Sequence, residues 1–219
     1  MDNFIISNEY WNTGETVEYF GTKPPDPRIV KRAKALLLAN PGIALRALDL
    51  GCGGGRHTRM LRDLGFDVDA CDVNPAMLEA TRSIAPELAG QVVEASILSL
   101  PYADRTFDMI VSTGVLHQVY SIEEYGRATK EIARVMKPGA IFCMNVFTSK
   151  TIDSRLQKMR TDEPVYLTNE GLPMTLLSST EVCELLERQG IRLEGKPEES
   201  DKQEPTGIRT VFRAIFKRD

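Results

Sequence analysis

The chain has 219 residues, 42% of them apolar and 26% charged, with a formal net charge of −4 and a pI of about 5.4. That length suits one α/β domain with a sizeable core, and the composition excludes broad disorder. The acidic balance and the lack of a long basic run argue against a nucleic-acid footprint, and no long apolar segment marks a signal peptide or membrane span.

Residues 1–26 are polar around an aromatic cluster of Phe4, Tyr10, Trp11, Tyr19 and Phe20. Asp26-Pro27 reads as the N-cap and first position of a helix that runs to about Ala39, where Asn40-Pro41-Gly42 stops it. The first strand is Leu45 to Leu50. A glycine run follows, then a helix from Arg56 to Leu64 closed by Gly65. Phe66 to Cys71 is the second strand, with Asp72 at its end and Asn74-Pro75 capping the next helix. A short strand spans Gln91 to Ala95, and Pro101, Asp104 and Arg105 mark a turn. Phe107 to Thr113 is a strand apolar enough to be buried on both faces. Ile122 to Met136 is a helix ended by Lys137-Pro138-Gly139, and Ala140 to Phe147 is a buried strand.

Residues 148–178 lack a clean period and are expected to form an inserted lid with one short helix. Ser178-Ser179-Thr180-Glu181 is a capping box for a helix over Val182 to Gln189. A short strand at Ile191 to Leu193, a charged turn-rich loop at 196–207 and a last strand from Ile208 to Phe216 complete the chain. Strands alternate with helices until the final pair. This order predicts an α/β fold: a doubly wound, mostly parallel seven-stranded sheet with helices on both faces and an antiparallel strand at or near one edge. The chain is expected to be one domain, 1–219, with a helical cap (1–40), a ligand-binding core (41–147), a lid (148–178) and a C-terminal helix and strand pair (179–219). Cys52, Cys71, Cys143 and Cys183 show no C-x-x-C or zinc spacing, so reduced, buried thiols of a cytoplasmic protein and no metal are expected.

The most informative stretch is Asp49-Leu50-Gly51-Cys52-Gly53-Gly54-Gly55-Arg56. Glycine after a buried strand permits φ > 0 turns and lets a ligand approach bare backbone at the carboxyl edge of the sheet. Gly51 and Gly53 fit the first two positions of the dinucleotide fingerprint, but Arg56 occupies the third, so a dehydrogenase is the weakest reading. A P-loop is missing too, since no Gly-Lys-Ser/Thr follows. What remains is D-x-G-x-G-x-G, read as Asp49, Gly51, Gly53 and Gly55.

This segment resembles the first motif of class I S-adenosylmethionine-dependent methyltransferases. Glu94 to Pro101 resembles their segment beside the adenine, Phe107 to His117 their fourth strand and the turn after it, and Arg134 to Gly139 the turn before strand five. The resemblance implies S-adenosylmethionine as cofactor, S-adenosylhomocysteine as product, and a Rossmann-like fold. It implies that Gly51, Gly53 and Gly55 expose backbone to the methionine part. Asp72, 21 positions after Gly51, stands where the family places the acid that accepts both ribose hydroxyls; Val73, Ser96, Ile97 and Thr113 complete the cofactor wall. Ser96 replaces an acid that many relatives use for the adenine amino group, so a hydroxyl, a backbone carbonyl or Glu94 must take that bond. Tyr10-Trp11, Gly55-Arg56-His57 and Gly65 to Ala70 resemble the tellurite-resistance and thiol-methylating subgroup.

Several roles stay open at this point. Asp49 either holds loop amides or binds the cofactor ammonium. Arg56 either pairs with the methionine carboxylate or is an exposed helix-start residue. His117, just after the fourth strand, is either a general base or a structural, cofactor-shielding residue, whereas His57 is expected at the surface. Trp11, Tyr10 and Tyr19 either close over the sulfonium or pack on the core. Met159, Tyr166, Leu167, Met174 and Leu176 are the candidate lid residues. The resulting expectation is a cytoplasmic enzyme, monomer or homodimer, methylating a small molecule. An RNA or protein methyltransferase of the same fold, with Lys31, Arg32, Lys34, Arg56, Arg59 and Arg62 as a modest basic face, and a non-catalytic cofactor-binding protein are the alternatives.

Overall fold

The computed structural model describes residues 14–219. Phe4, Tyr10 and Trp11 lie outside the described residues. Within the expected helical cap, α1 spans Gly14–Thr22 and α2 spans Pro27–Ala39. Asp26 caps α2 as expected: its carboxylate accepts the Arg28 N–H and its side chain also pairs with the Arg28 guanidinium.

The core then alternates. β1 (Arg46–Leu50), α3 (Arg56–Leu64), β2 (Asp67–Asp72), α4 (Pro75–Ile84), β3 (Val92–Glu94), β4 (Phe107–Thr113), α5 (Ile122–Val135) and β5 (Met136–Phe147) follow in order. After an insert come α6 (Ser179–Glu187), β10 (Ile191–Leu193), β11 (Glu198–Glu204) and β12 (Gly207–Arg218). The sheet order is β10-β12-β5-β4-β1-β2-β3, with every pair from β3 to β5 parallel and β12 antiparallel to both neighbours. The antiparallel strand is therefore second from the edge. The chain leaves β1 toward β2 and β3, then returns to β4 on the other side of β1, which makes the β1–β4 boundary the topological switch point.

Strand periodicity explains the layers. Leu48, Leu50, Ile110, Phe142, Met144 and Phe212 face α5 and α6, packing with Tyr125, Ile132, Val182 and Leu186. Ala47, Val68, Ala70, Met109, Val111 and Cys143 face the other way, under Ile29 and Ala33 of α2, Met60 and Leu61 of α3 and Leu78 of α4. Because both faces are covered, these strands read as continuous apolar runs.

Four local expectations are corrected. Residues 148–178 contain no helix; β7 (Gln157–Lys158), β8 (Val165–Leu167) and β9 (Pro173–Thr175) form a small antiparallel sheet, and β6 (Ile152–Asp153) joins β12. Strands of two or three residues are too short to show a period. The charged loop expected at 196–207 is β11, paired along 198–204 with β12 through a Pro205-Thr206 turn. Its carboxylates and Lys202 alternate on an edge strand, where charge discourages further pairing and no apolar signal arises. Lys137-Pro138-Gly139 lies within the irregular start of β5, where the register steps from Phe107↔Met136 to Met109↔Ile141. The last helix starts at Ser179 rather than Val182, with the capping box of Ser178 and Glu181 intact.

The small sheet docks at one place. The Thr175 N–H donates to the His117 carbonyl at 2.8 Å, and the buried Thr175 hydroxyl donates to the Val119 carbonyl at 2.7 Å. Thr175→Val should leave that carbonyl unpaired at a cost of about 1–3 kcal/mol, felt locally. Hydrogen exchange should then speed up in 165–175 while amides of β1 and β4 stay protected.

Candidate active site

The carboxyl end of β1 builds the site. Its register beside β2 sets Leu50 against Cys71, so the next two amides, of Gly51 and Cys52, both donate to the Cys71 carbonyl at 2.8 and 3.0 Å. The chain then turns through left-handed residues at Gly51 (φ 73°), Gly53 (φ 54°) and Gly55 (φ 78°). At Gly51 a Cβ would fall 2.2 Å from a Val115 methyl, so that position needs glycine on both counts. At Gly54 a Cβ would meet the Gly21 Cα at 2.5 Å, because α1 lies directly on the loop.

The Gly53 N–H donates to one oxygen of Asp72 and the Asn74 N–H to the other, each at 3.0 Å. Burial pushes the Asp72 carboxyl up from its ordinary range, against those bonds. Asp49 stands behind the loop, 2% exposed, and accepts the Thr58 hydroxyl at 2.7 Å. Its surroundings are apolar enough that desolvation raises it to about 6. Arg56 lies alongside, half-buried, with its guanidinium 3.4 Å from the Thr113 hydroxyl.

In front of the loop a cavity of about 400 Å³ opens at the switch point. One end is walled by Gly51, Gly53, Asp72, Val73, Met77, Ser96, Ile97 and Leu98; Thr113 and Val115 lie on its wall as well. Ser96 accepts the Leu98 N–H at 3.2 Å, while Glu94 is exposed. The wall also carries His117, Tyr120 and Phe147, joined by Arg155, Thr168, Glu170, Leu172, Met174 and Arg209. Arg155 and Arg209 both bond Asp153, and Arg209 lies over the Phe147 ring.

The structure thus brings Gly51, Gly53, Asp72, Val73, Ser96, Ile97, Thr113 and His117 to one cavity. Asp49, Gly55 and Arg56 support the loop from behind, and Trp11 lies outside the described residues. Of the lid candidates, Met174 reaches the wall, Leu176 is buried, Met159 is exposed, and Tyr166 and Leu167 are partly buried; Tyr19, a candidate to close over the sulfonium, is half exposed beneath the Lys23 ammonium. His57 corrects the surface expectation. It is 2% exposed, and its Nε2 accepts the Asp26 N–H at 3.2 Å, tying α3 to the start of α2. Three cysteines, Cys52, Cys71 and Cys143, are buried and free; Cys183 is partly exposed. Sequence reasoning missed Tyr120, Phe147, Arg155 and Arg209. Phe147 ends a strand at the ligand-binding edge, which is a usable signal; Arg155 comes from a segment with no period, and Arg209 from the start of the last strand, where nothing local aims it at the cavity.

Among the described residues no cluster of His, Cys, Asp and Glu could hold a metal, and no helix is long and apolar enough to cross a membrane.

Residues 48–144 match a family described as a methyltransferase domain. The chain is similar to a malonyl-[acyl-carrier protein] O-methyltransferase of Pseudescherichia vulneris, 32% identical over 161 residues, covering 68% of this chain and 60% of the relative. It therefore spans less than two thirds of that relative's length. Its fold is similar to the N-methyltransferase NodS of Bradyrhizobium japonicum in complex with S-adenosylhomocysteine (TM-score 0.66, 16% identity, 99% of each chain covered). It is also similar to the Burkholderia thailandensis 1,6-didemethyltoxoflavin-N1-methyltransferase (TM-score 0.64, 21% identity, 99% of this chain and 86% of that one).

Two predictions follow from the packing. Gly51→Ala should lower stability by about 1–3 kcal/mol, through overpacking against Val115 and the left-handed backbone, measured by urea unfolding. The second concerns pH. Burial drives His57 and His117 down to about 3 from 6.5, so both stay neutral in the native state and take up protons on unfolding. Their contribution is complete above pH 6.5 and is lost as pH falls toward 3; Asp49, raised to about 6, acts in the opposite direction. Between pH 7 and 5 the wild type should lose about 2 kcal/mol more than His57→Gln, whose amide oxygen still accepts the Asp26 N–H.

Proposed function

We propose that this chain, whose residues 48–144 match a methyltransferase domain, is a class I S-adenosylmethionine-dependent enzyme that methylates a nucleophilic O, N or S atom of a small molecule. The observation that carries this reading is the glycine loop bonded to Asp72 at the wall of one cavity. The residues fit the cofactor. Each Asp72 oxygen already accepts one backbone N–H and a carboxylate oxygen can accept two, which leaves capacity for a vicinal diol. Val73, Met77, Ile97 and Leu98 offer an apolar slot for the base, with the Ser96 hydroxyl at its edge. The start of α3 suits the amino-acid end, where the N-terminal dipole and Arg56 favour a carboxylate.

When bound, S-adenosylmethionine supplies an electrophilic sulfonium methyl. The chain's own work is alignment and exclusion of water, since methyl transfer to a soft or already ionised nucleophile needs no acid or base. Asp72 and the loop fix one end of the cavity. Pro173 and Met174 of β9, pinned through Thr175 to the His117–Val119 turn, line its wall with Thr168, Glu170 and Leu172 of the β8–β9 connection. A cavity of about 400 Å³ bounded in this way suits a small acceptor. Of the six basic side chains an RNA substrate would use, Arg32 is engaged with Glu194, Arg62 with Asp63 and Glu87, and Arg56 lies beside Thr113, which leaves Lys31, Lys34 and Arg59 exposed. Thiols and phenols are the first acceptors to screen.

Calorimetry on folded protein tests the reading. S-adenosylhomocysteine should bind at micromolar concentration and NAD should not, and Asp72→Asn should weaken the first at least tenfold, about 1.4 kcal/mol. A folded wild type that binds no S-adenosylhomocysteine overturns the proposal.

A further inference from the structure

The cavity wall that includes His117 holds two buried polar groups that no described residue pairs. The His117 ring is 1% exposed, and its orientation is fixed from two sides. The Phe147 N–H donates to Nδ1 at 3.4 Å, and the Phe147 ring packs against it with centroids 4.7 Å apart. A ring nitrogen that accepts an N–H carries a lone pair, so in the neutral imidazole the proton sits on Nε2. That Nε2 is buried and has no partner among the described residues. Three positions on, the Tyr120 hydroxyl is likewise buried and unpartnered, and both residues line the cavity. Buried donors in native proteins are paired, so two orphans on residues that line one cavity point to a ligand that pairs them.

We propose that this wall recognises oxygen: His117 Nε2–H and the Tyr120 hydroxyl donate hydrogen bonds to an acceptor oxygen of the methyl-receiving molecule, a carboxylate, phenol or carbonyl. His117 is then a substrate-orienting donor and not the base that its place after β4 suggests. The proposal rests on the small-molecule reading above. Charge at this end is mixed. Arg155 and Arg209 share the buried Asp153, while Glu170 lies 3.8 Å from Arg155 and Glu124 lines the cavity too. Neither an anion nor a neutral oxygen is excluded by that balance, and the experiment separates them. The burial that keeps His117 neutral well below pH 6 agrees with a donor that never exchanges its proton.

The chain has only two histidines, so long-range proton–nitrogen NMR resolves both. The wild type at pH 7 should show His117 as the neutral Nε2–H tautomer. With S-adenosylhomocysteine added, benzoate and acetophenone serve as charged and neutral oxygen probes, and benzylamine as the donor-only control. The His117 Nε2 signal should move with at least one oxygen probe and not with benzylamine. Tyr120→Phe should weaken that probe's binding at least fivefold. A proton on Nδ1, an imidazolium at pH 7, or a signal unmoved by both oxygen probes overturns the proposal. The tautomer is read without ligand, so it decides this point even if S-adenosylhomocysteine fails to bind, which instead overturns the parent reading.

Discussion

The glycine loop and its contact with Asp72 hang on the parallel pairing of β1 with β2. Leu50 lies level with Cys71, and the Cys71 carbonyl takes two successive N–H groups from the chain leaving β1. That double acceptance forces the backbone to curl at once, and only glycine meets the left-handed angles that result. The curl delivers the Gly53 N–H to Asp72, which the same register has placed one residue beyond Cys71. A slip of one residue between these strands would flip Asp49 and Leu50 to opposite layers and separate the loop from its carboxylate.

The parts of the molecule that follow this logic were legible in the sequence. The N-caps of Asp26, Asn74 and Ser178 announce their helices because a short polar side chain must take the first free amides. The strand from Phe107 to Thr113 shows itself because both of its faces are covered. The glycine loop, Asp72 and His117 stand at strand ends, where the parallel topology brings residues distant in sequence to one edge.

The rest was hidden for physical reasons. His57 looks like a surface residue on a short helix, and nothing local says that the chain entering α2 lies across it. The strand over 198–204 is exposed and charged, so β pairing there is dictated by β12 and not by its own side chains. Arg155 and Arg209 reach the same wall because Asp153 is buried between them, a contact spanning more than fifty residues. In each case tertiary contacts override local pattern.

Gly207 shows how firmly the segment leading to the lid is anchored. Its φ is 144°, and any Cβ there would collide with the Ile152 carbonyl at the start of that segment, so the antiparallel pairing of β6 with β12 leaves room for glycine alone at that position. The two ends of the cavity wall hang on different supports: one on β1, β2 and the loops after them, the other on β5, β12 and the segment clamped at Gly207. Residues 154–174 can therefore vary in length and composition with little effect on the loop that meets Asp72. A lineage, or an engineer, can change the part of the wall lined by Arg155, Thr168, Glu170, Leu172 and Met174 by exchanging that stretch alone, with His117 and Tyr120 left in place, provided the clamp at Gly207 and the Thr175 anchor are kept.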